Sequence, residues 1–383
     1  MILPSLPSLP PSVYVAGVVS FVVAFMLVVT KRWHGRFSMD NVKGVQKMHL
    51  SPTPRGGGVA VFIGATAAWL LTSPETSELI GMLLLAGTPA FAFGLIEDVT
   101  KRVSVLARLL ATMASGVLGW WLTDVAITRV DVPFLDLALH YTVASVAFTA
   151  LAVGGVANAI NIIDGFNGQA GGFVVIALVG LAFVLGVVGD VDLALVCLAV
   201  AASTFGFWLI NWPWGKLFLG DGGSYFGGFA LAWISVLLIA RNDSVTAFVP
   251  LLICIHPVTE VLFSIYRRRI THASPGAPDR IHLHSLIMRR VVSPRLHRVY
   301  AGEPEKVRLL RNPVTGLVVA TMSLPAVVLA LVSVHSALFA WLSCLALALG
   351  YVALYARIVR FHWCSPLKFL FVKPRFIVQA SKY

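Results

Sequence analysis

Four carboxylates of this chain stand where an apolar helix starts or stops. Glu97 and Asp98 close an apolar run in "GLIEDVTKR", Asp164 lies in "NAINIIDGFNG" (residues 158–168), and Asp221 opens a run in "NWPWGKLFLGDGGSYFGG" (211–228). Acids set in or beside apolar helices are costly, so they are functional candidates by default. A few oxygen donors shared with phosphate oxygens suit Mg²⁺, and the paired Cys and His ligands that suit zinc are absent. Arg55, Lys101, Lys216, Arg280, His282 and His284 supply the cations that hold a diphosphate. Phe218 offers a face on which a base can stack. Metal-suited acids, cations and glycines together suggest phosphoryl transfer between a water-soluble and a membrane-bound substrate.

Taken singly, each feature also has a plainer reading. Glu97-Asp98 before Lys101-Arg102 reads equally as a solvated helix end, and glycine runs serve close helix packing. Arg267-Arg268-Arg269 reads first as a stop signal at the membrane surface, and His282 and His284 as interfacial residues. Their joint position at one membrane face favours chemistry over these.

The elements that must position them are membrane helices. Of 383 residues, 58% are hydrophobic and only 12% charged, with mean hydropathy +0.86; soluble domains are nearer 25% charged. Apolar stretches of roughly 17–25 residues can each cross the ~30 Å hydrocarbon core. The sequence predicts eleven, centred near residues 21, 64, 87, 113, 150, 179, 200, 231, 256, 326 and 348. The sixth and seventh are separated only by Gly189-Asp190-Val191. The fold class expected is therefore an all-α polytopic membrane protein, a single transmembrane catalytic domain over residues 1–383.

Orientation follows from the bias of Lys and Arg toward cytoplasmic loops. Loops 31–55, 97–102, 161–169, 211–222 and 267–316, with the basic tail 357–383, hold 26 of the 29 Lys and Arg residues. The opposite loops carry Arg129 and Arg241 among Glu75, Glu78, Asp124, Asp131, Asp136, Asp190, Asp192 and Asp243, while Arg108 lies within a span. The N-terminus is thus expected outside and the C-terminus in the cytosol. The net charge of +12 is a topological signal, not a nucleic-acid footprint. The N-terminus lacks a basic n-region, so the first span is read as uncleaved. Cys197, Cys254, Cys344 and Cys364 show neither metal nor disulfide spacing. A transporter is the rival class, but it would hold substrate near the bilayer midplane, often between repeated halves; the polar clusters here gather at one face and no repeat is evident. Glu260 lies inside the ninth span with His256 one turn earlier, which suggests either a buried His–Glu pair or a structural polar contact.

The motifs resemble the polyprenyl-phosphate N-acetylhexosamine-1-phosphate transferase superfamily. The matching segments are "PTPRGGG" (52–58), Glu97-Asp98 at the family's paired-aspartate site, "NAINIIDGFNG", "NWPWGKLFLGDGGS" (211–224) and "PDRIHLHSLIMRR" (278–290), in family order. The resemblance implies that undecaprenyl phosphate attacks the β-phosphorus of a UDP-N-acetylhexosamine and releases UMP at the cytosolic face of the bacterial inner membrane. It implies Asp221 as the Mg²⁺ ligand, with Mn²⁺ an alternative ion, and Asp98 with Glu97 acting on the acceptor phosphate. Asn158, Asn161 and Asp164 would line the floor, and Gly165, Asn167, Asn211 and Phe218 the uridine pocket. Lys47, Arg55, Arg280, His282 and His284 would contact diphosphate or sugar. The family also includes dimers.

Two departures stand out. Glu97 replaces the first aspartate, and His282-x-His284 replaces the triple-histidine run of the phospho-N-acetylmuramoyl-pentapeptide translocase. The second places the chain nearer the branch that initiates O-antigen and common-antigen synthesis.

Overall fold

The computed structural model describes residues 9–40, 52–270 and 281–360. Lys47, Arg280 and the tail beyond Arg360 lie outside the described residues. Two short strands, β1 (Met39–Asp40) and β2 (Thr53–Pro54), pair antiparallel, Met39 opposite Pro54. The remaining elements are helices. The first group is α1 (Pro11–Val29), α2 (Lys31–Ser38), α3 (Gly57–Trp69), α4 (Pro74–Thr100), α5 (Val105–Thr123), α6 (Pro133–Leu139) and α7 (Thr142–Ile163). Then come α8 (Gln169–Val188), α9 (Val191–Asn211), α10 (Gly220–Arg241), α11 (Phe248–Ile253) and α12 (Ile255–Ile270). The last are α13 (Leu283–Ile287), α14 (Ser293–Val299), α15 (Pro304–Thr321), α16 (Leu324–Val332) and α17 (Ala337–Arg360).

Every expected span centre falls in a helix or at the junction of a helix pair. Among the described residues, nine helical stretches are long and apolar enough to cross a membrane, with α15 and α16 forming one of them. Two expected spans differ. The second is α3, only 13 residues, roughly 20 Å at 1.5 Å per residue, because the chain before it is extended in β2 and helix begins only at Gly57. The ninth is divided at Cys254 into α11 and α12, and α12 carries His256, Glu260 and three arginines. The sixth and seventh spans are separate: Gly189 at φ +81° ends α8, and Asp190 Oδ1 accepts from the Leu193 amide at 3.3 Å to start α9. Both cations of the acidic face are engaged in ion pairs, Arg129 with Asp131 at 2.8 Å and Arg241 with Asp190 at 2.7 Å.

α10 is the hub. It packs against α3, α4, α7 and α8, and 83% of its apolar stretch is buried against 22% for α17. Between helices in lipid no hydrophobic force favours association, so close packing of small residues must hold them together. The glycines of "PTPRGGG" and "GDGGS" serve that end. Gly58 of α3 lies against the backbone of Gly223, and a Cβ on Gly94 of α4 would fall 2.5 Å from the Gly222 nitrogen. Deeper in the bundle, small residues receive large ones: a Cβ on Gly87 would meet Phe229 at 2.9 Å, and one on Gly119 would meet Trp233 at 2.8 Å.

Gly94→Ala is therefore expected to force α4 away from the α10 backbone, destabilising by about 1–3 kcal/mol and lowering activity. Gly155→Ala, where a Cβ meets nothing within 4 Å, should leave thermal unfolding of the solubilised protein unchanged or slightly raised. Equal unfolding temperatures for the two variants would refute this packing argument.

Candidate active site

The site is built on the first turn of α10. Just before it, Phe218 forms an isolated parallel bridge with Arg55. The Phe218 amide donates to Pro54 O at 3.0 Å, and Phe218 O accepts from the Gly57 amide at 2.9 Å. "PTPRGGG" and "KLFLGDGG" are thereby joined edge to edge. Gly220 then turns into the helix at φ +76°, and any side chain there would collide with the Asp98 carboxylate.

Asp98 sits under this turn, 1% exposed. Its Oδ1 accepts from the Asp221 amide at 2.9 Å and its Oδ2 from the Gly222 amide at 3.0 Å. Two of the N–H groups that a helix start leaves without intrahelical acceptors are thus satisfied by one carboxylate. Both oxygens of Asp98 thus help to seat α10. Arg55 lies 4.0 Å away. Glu97, its half-buried neighbour, turns the other way, and its Oε2 accepts from the Val103 amide at 2.8 Å.

Asp221 is aimed from this platform. Arg108 of α5 forms an ion pair with Asp221 Oδ2, and Asn161 Nδ2 donates to Oδ1 at 3.0 Å. Asn161 is itself fixed, donating to Ser224 Oγ at 2.9 Å and accepting from Tyr225 Oη at 3.3 Å. Asn158, one turn earlier, faces α5, where its amide donates to Thr112 Oγ1 at 2.9 Å. It braces α7 and makes no hydrogen bond to Asp221. Asp164 follows the end of α7. Burial and the charge of Asp221 push its carboxyl up to about 7, with Asp98 adding to the effect and Arg55 opposing it. Three acids from three helix ends therefore share one region, balanced by Arg55 and Arg108.

The histidines close one side. A Cβ on Gly165 would lie 2.8 Å from His284 Nε2, so only glycine lets the ring approach the Asp164 turn so closely. His284 meets the edge of Phe166 at 5.4 Å between ring centres and stacks with His282 at 5.3 Å. The remaining predicted residues brace loops. The Asn167 backbone N–H donates to Asn312 Oδ1 at 2.8 Å, and its Nδ2 donates to Pro213 O at 3.3 Å. Asn211 is buried, with Nδ2 donating to Leu217 O at 2.7 Å and Oδ1 accepting from the Gly168 amide at 2.5 Å. Phe218 is half-buried and Lys216 exposed. Lys47 and Arg280 lie outside the described residues.

Sequence reasoning missed three participants. Arg108 was legible as a lone cation within a span, which demands a counter-ion. Ser224 and Tyr225 carried no signal. Of the two readings of Glu260, the polar contact between helices is met by Tyr351 of α17, whose Oη donates to Oε2 at 2.7 Å, while the histidine paired with it is His282 at 2.8 Å, not His256, because the 281–284 segment folds back against α12.

Residues 80–239 match the family model described as glycosyl transferase family 4. The chain is 30% identical over 291 residues to a probable undecaprenyl-phosphate N-acetylglucosaminyl 1-phosphate transferase of Bacillus subtilis, covering 73% of this chain and 79% of that one. It is 28% identical to the undecaprenyl-phosphate alpha-N-acetylglucosaminyl 1-phosphate transferase of Yersinia pestis, over 70% of this chain and 74% of the relative. It is also 28% identical to a phospho-N-acetylmuramoyl-pentapeptide-transferase of Clostridium perfringens, over 60% of this chain and 76% of the relative. This all-α, multi-pass membrane chain belongs to the polyprenyl-phosphate N-acetylhexosamine-1-phosphate transferase superfamily.

Proposed function

We propose that the chain transfers N-acetylhexosamine-1-phosphate from a UDP-N-acetylhexosamine to undecaprenyl phosphate, the initiating step of a cell-surface polysaccharide such as an O-antigen. An oxygen of the acceptor phosphate forms a bond to the β-phosphorus of the nucleotide sugar. The bond between that phosphorus and the oxygen bridging to the α-phosphorus breaks, and UMP leaves with the electron pair. Phosphate monoesters have a second pKa near ~6, so the acceptor is already largely dianionic and no strong base is required. The barrier is the approach of one anion to another, which fixed positive charge and alignment reduce.

The observation that carries this reading is Asp221, a carboxylate at the start of the most enclosed helix, held on both oxygens by Arg108 and Asn161. Asp164 and Asp221 are oxygen donors whose mutual repulsion a divalent cation would relieve. Mg²⁺ keeps waters and takes substrate phosphates into its shell, so it needs few protein oxygens; Mn²⁺ has the same oxygen preference. When bound, the ion would neutralise the diphosphate and align it for in-line attack. We assign Asp221 as its principal ligand, with Asp164 beside it. Asp98 keeps the α10 turn in place, and Glu97 adds negative charge near Arg108. Arg55, His282 and His284 face the diphosphate and sugar, while Gly165, Asn167 and Phe218 border the uridine. The excess of Lys and Arg on the loops that carry the site supports a cytosolic site at the inner membrane.

Membranes holding the protein, mixed with radiolabelled UDP-GlcNAc and undecaprenyl phosphate, should give organic-phase label and UMP that both disappear with EDTA and return with Mg²⁺. Label trapped inside vesicles without UMP release would instead establish transport. Asp221→Asn is expected to lower turnover on the order of 10²–10³-fold or more with insertion intact; near-normal turnover would remove the metal assignment. Glu97→Gln should be milder than Asp98→Asn, since only Asp98 holds the α10 amides, and the reverse order of activities would contradict that seating.

A further inference from the structure

Among the described residues, Glu260 is a buried acid that the reaction above does not use. It is 1% exposed in α12, inside the expected ninth span, where an ionised side chain persists only with partners. Three donors reach it from two other elements. His282 Nδ1 lies 2.8 Å from Oε1, Tyr351 Oη of α17 donates to Oε2 at 2.7 Å, and the Leu283 amide lies 3.4 Å from Oε1. His256 is one turn away on α12, with its ring 6.1 Å from that of Tyr351, and His284 stacks on the far side of His282. Apolar and aromatic residues, Phe263, Leu283, Leu286 and Tyr355 among them, close the cluster.

A carboxylate can only accept, so the His282 nitrogen facing it must carry hydrogen. Any bond the ring makes toward the substrate is therefore made through Nε2. The choice of tautomer by a carboxylate on the opposite nitrogen is a general way of aiming a histidine. The Tyr351 hydroxyl and the Leu283 amide hold the carboxylate so that it cannot swing away. His282 in turn stacks on His284, whose Nε2 lies over Gly165 beside Asp164.

We propose that Glu260 is a positioning residue of the transfer reaction. From inside α12, and supported by Tyr351, it fixes the tautomer and orientation of His282, and through the stacked rings the place of His284 at the Asp164 turn. This rests on the reading that His282 acts on the donor diphosphate or sugar.

A double-mutant cycle on the full-length protein separates the two statements. Glu260→Gln keeps the side-chain size but offers an amide in place of the carboxylate. It is expected to lower kcat about 10–100-fold, the usual cost of losing such an orienting partner, with KM for UDP-GlcNAc within about twofold. His282→Asn should lower kcat at least as far, and adding Glu260→Gln to it should change kcat by less than about twofold, since Glu260 then has no histidine to orient. If Glu260→Gln lowers kcat by the same factor in both backgrounds, Glu260 acts on the fold and not through His282, and the proposal falls while His282 keeps its role. If His282→Asn alone leaves kcat unchanged, both fall. Glu260→Asp, which keeps the charge on a shorter arm, completes the same cycle should the glutamine variant fail to insert, and it should restore part of the lost kcat where both can be compared.

Discussion

A helix that begins inside a membrane protein exposes N–H groups that water cannot reach, and at α10 two of them fall to a single carboxylate. Asp98 accepts from the amides of Asp221 and Gly222, tying the end of α4 to the start of α10. Because the acceptor is charged, these bonds are stronger than neutral ones, and they lie where no solvent competes. The position of Asp221 follows from them. So does the approach of the "PTPRGGG" strand, whose glycines meet the backbone of the same turn. Without this anchor, the acids, the glycines and the loop before α10 would have no common frame.

The site on this frame is an arrangement of like charges held apart by fixed partners. Asp98, Asp164 and Asp221 come from the ends of α4, α7 and the start of α10, and burial sharpens their repulsion. Arg108 and Asn161 hold Asp221 in one orientation, and Arg55 stands near Asp98. Such a site is organised before substrate arrives, which suits a reaction whose main obstacle is bringing two anions together.

A second polar centre lies away from the first and is joined to it by the histidine pair. It links α12, the 281–284 segment and α17 through Glu260, His282 and Tyr351. Here too the cost of an ionised group in an apolar setting is offset by several donors converging on one carboxylate. Both centres use the same economy, one buried acid organising groups from three places in the chain.

Composition and hydropathy by themselves determined that the chain is a bundle of membrane helices, because a run of apolar residues long enough to cross hydrocarbon has no other stable arrangement. The motif spacing marked Asp164, Asp221 and the histidines as candidates, since acids and cations recurring at helix ends need a reason to be there. Which of two adjacent acids turns inward was not legible: Glu97 and Asp98 differ by about 100° around a helix of 3.6 residues per turn, and only the packing of α4 on α10 sends Asp98 to the amides and Glu97 to the Val103 turn. Nor was the partner of Arg108 or of Glu260, which lie 113 and 22 residues away in sequence. Sequence sets the charge each residue carries and the helix it occupies. Tertiary structure alone decides which charges meet, because ion pairs and helix caps between distant elements form only where helix packing brings them together.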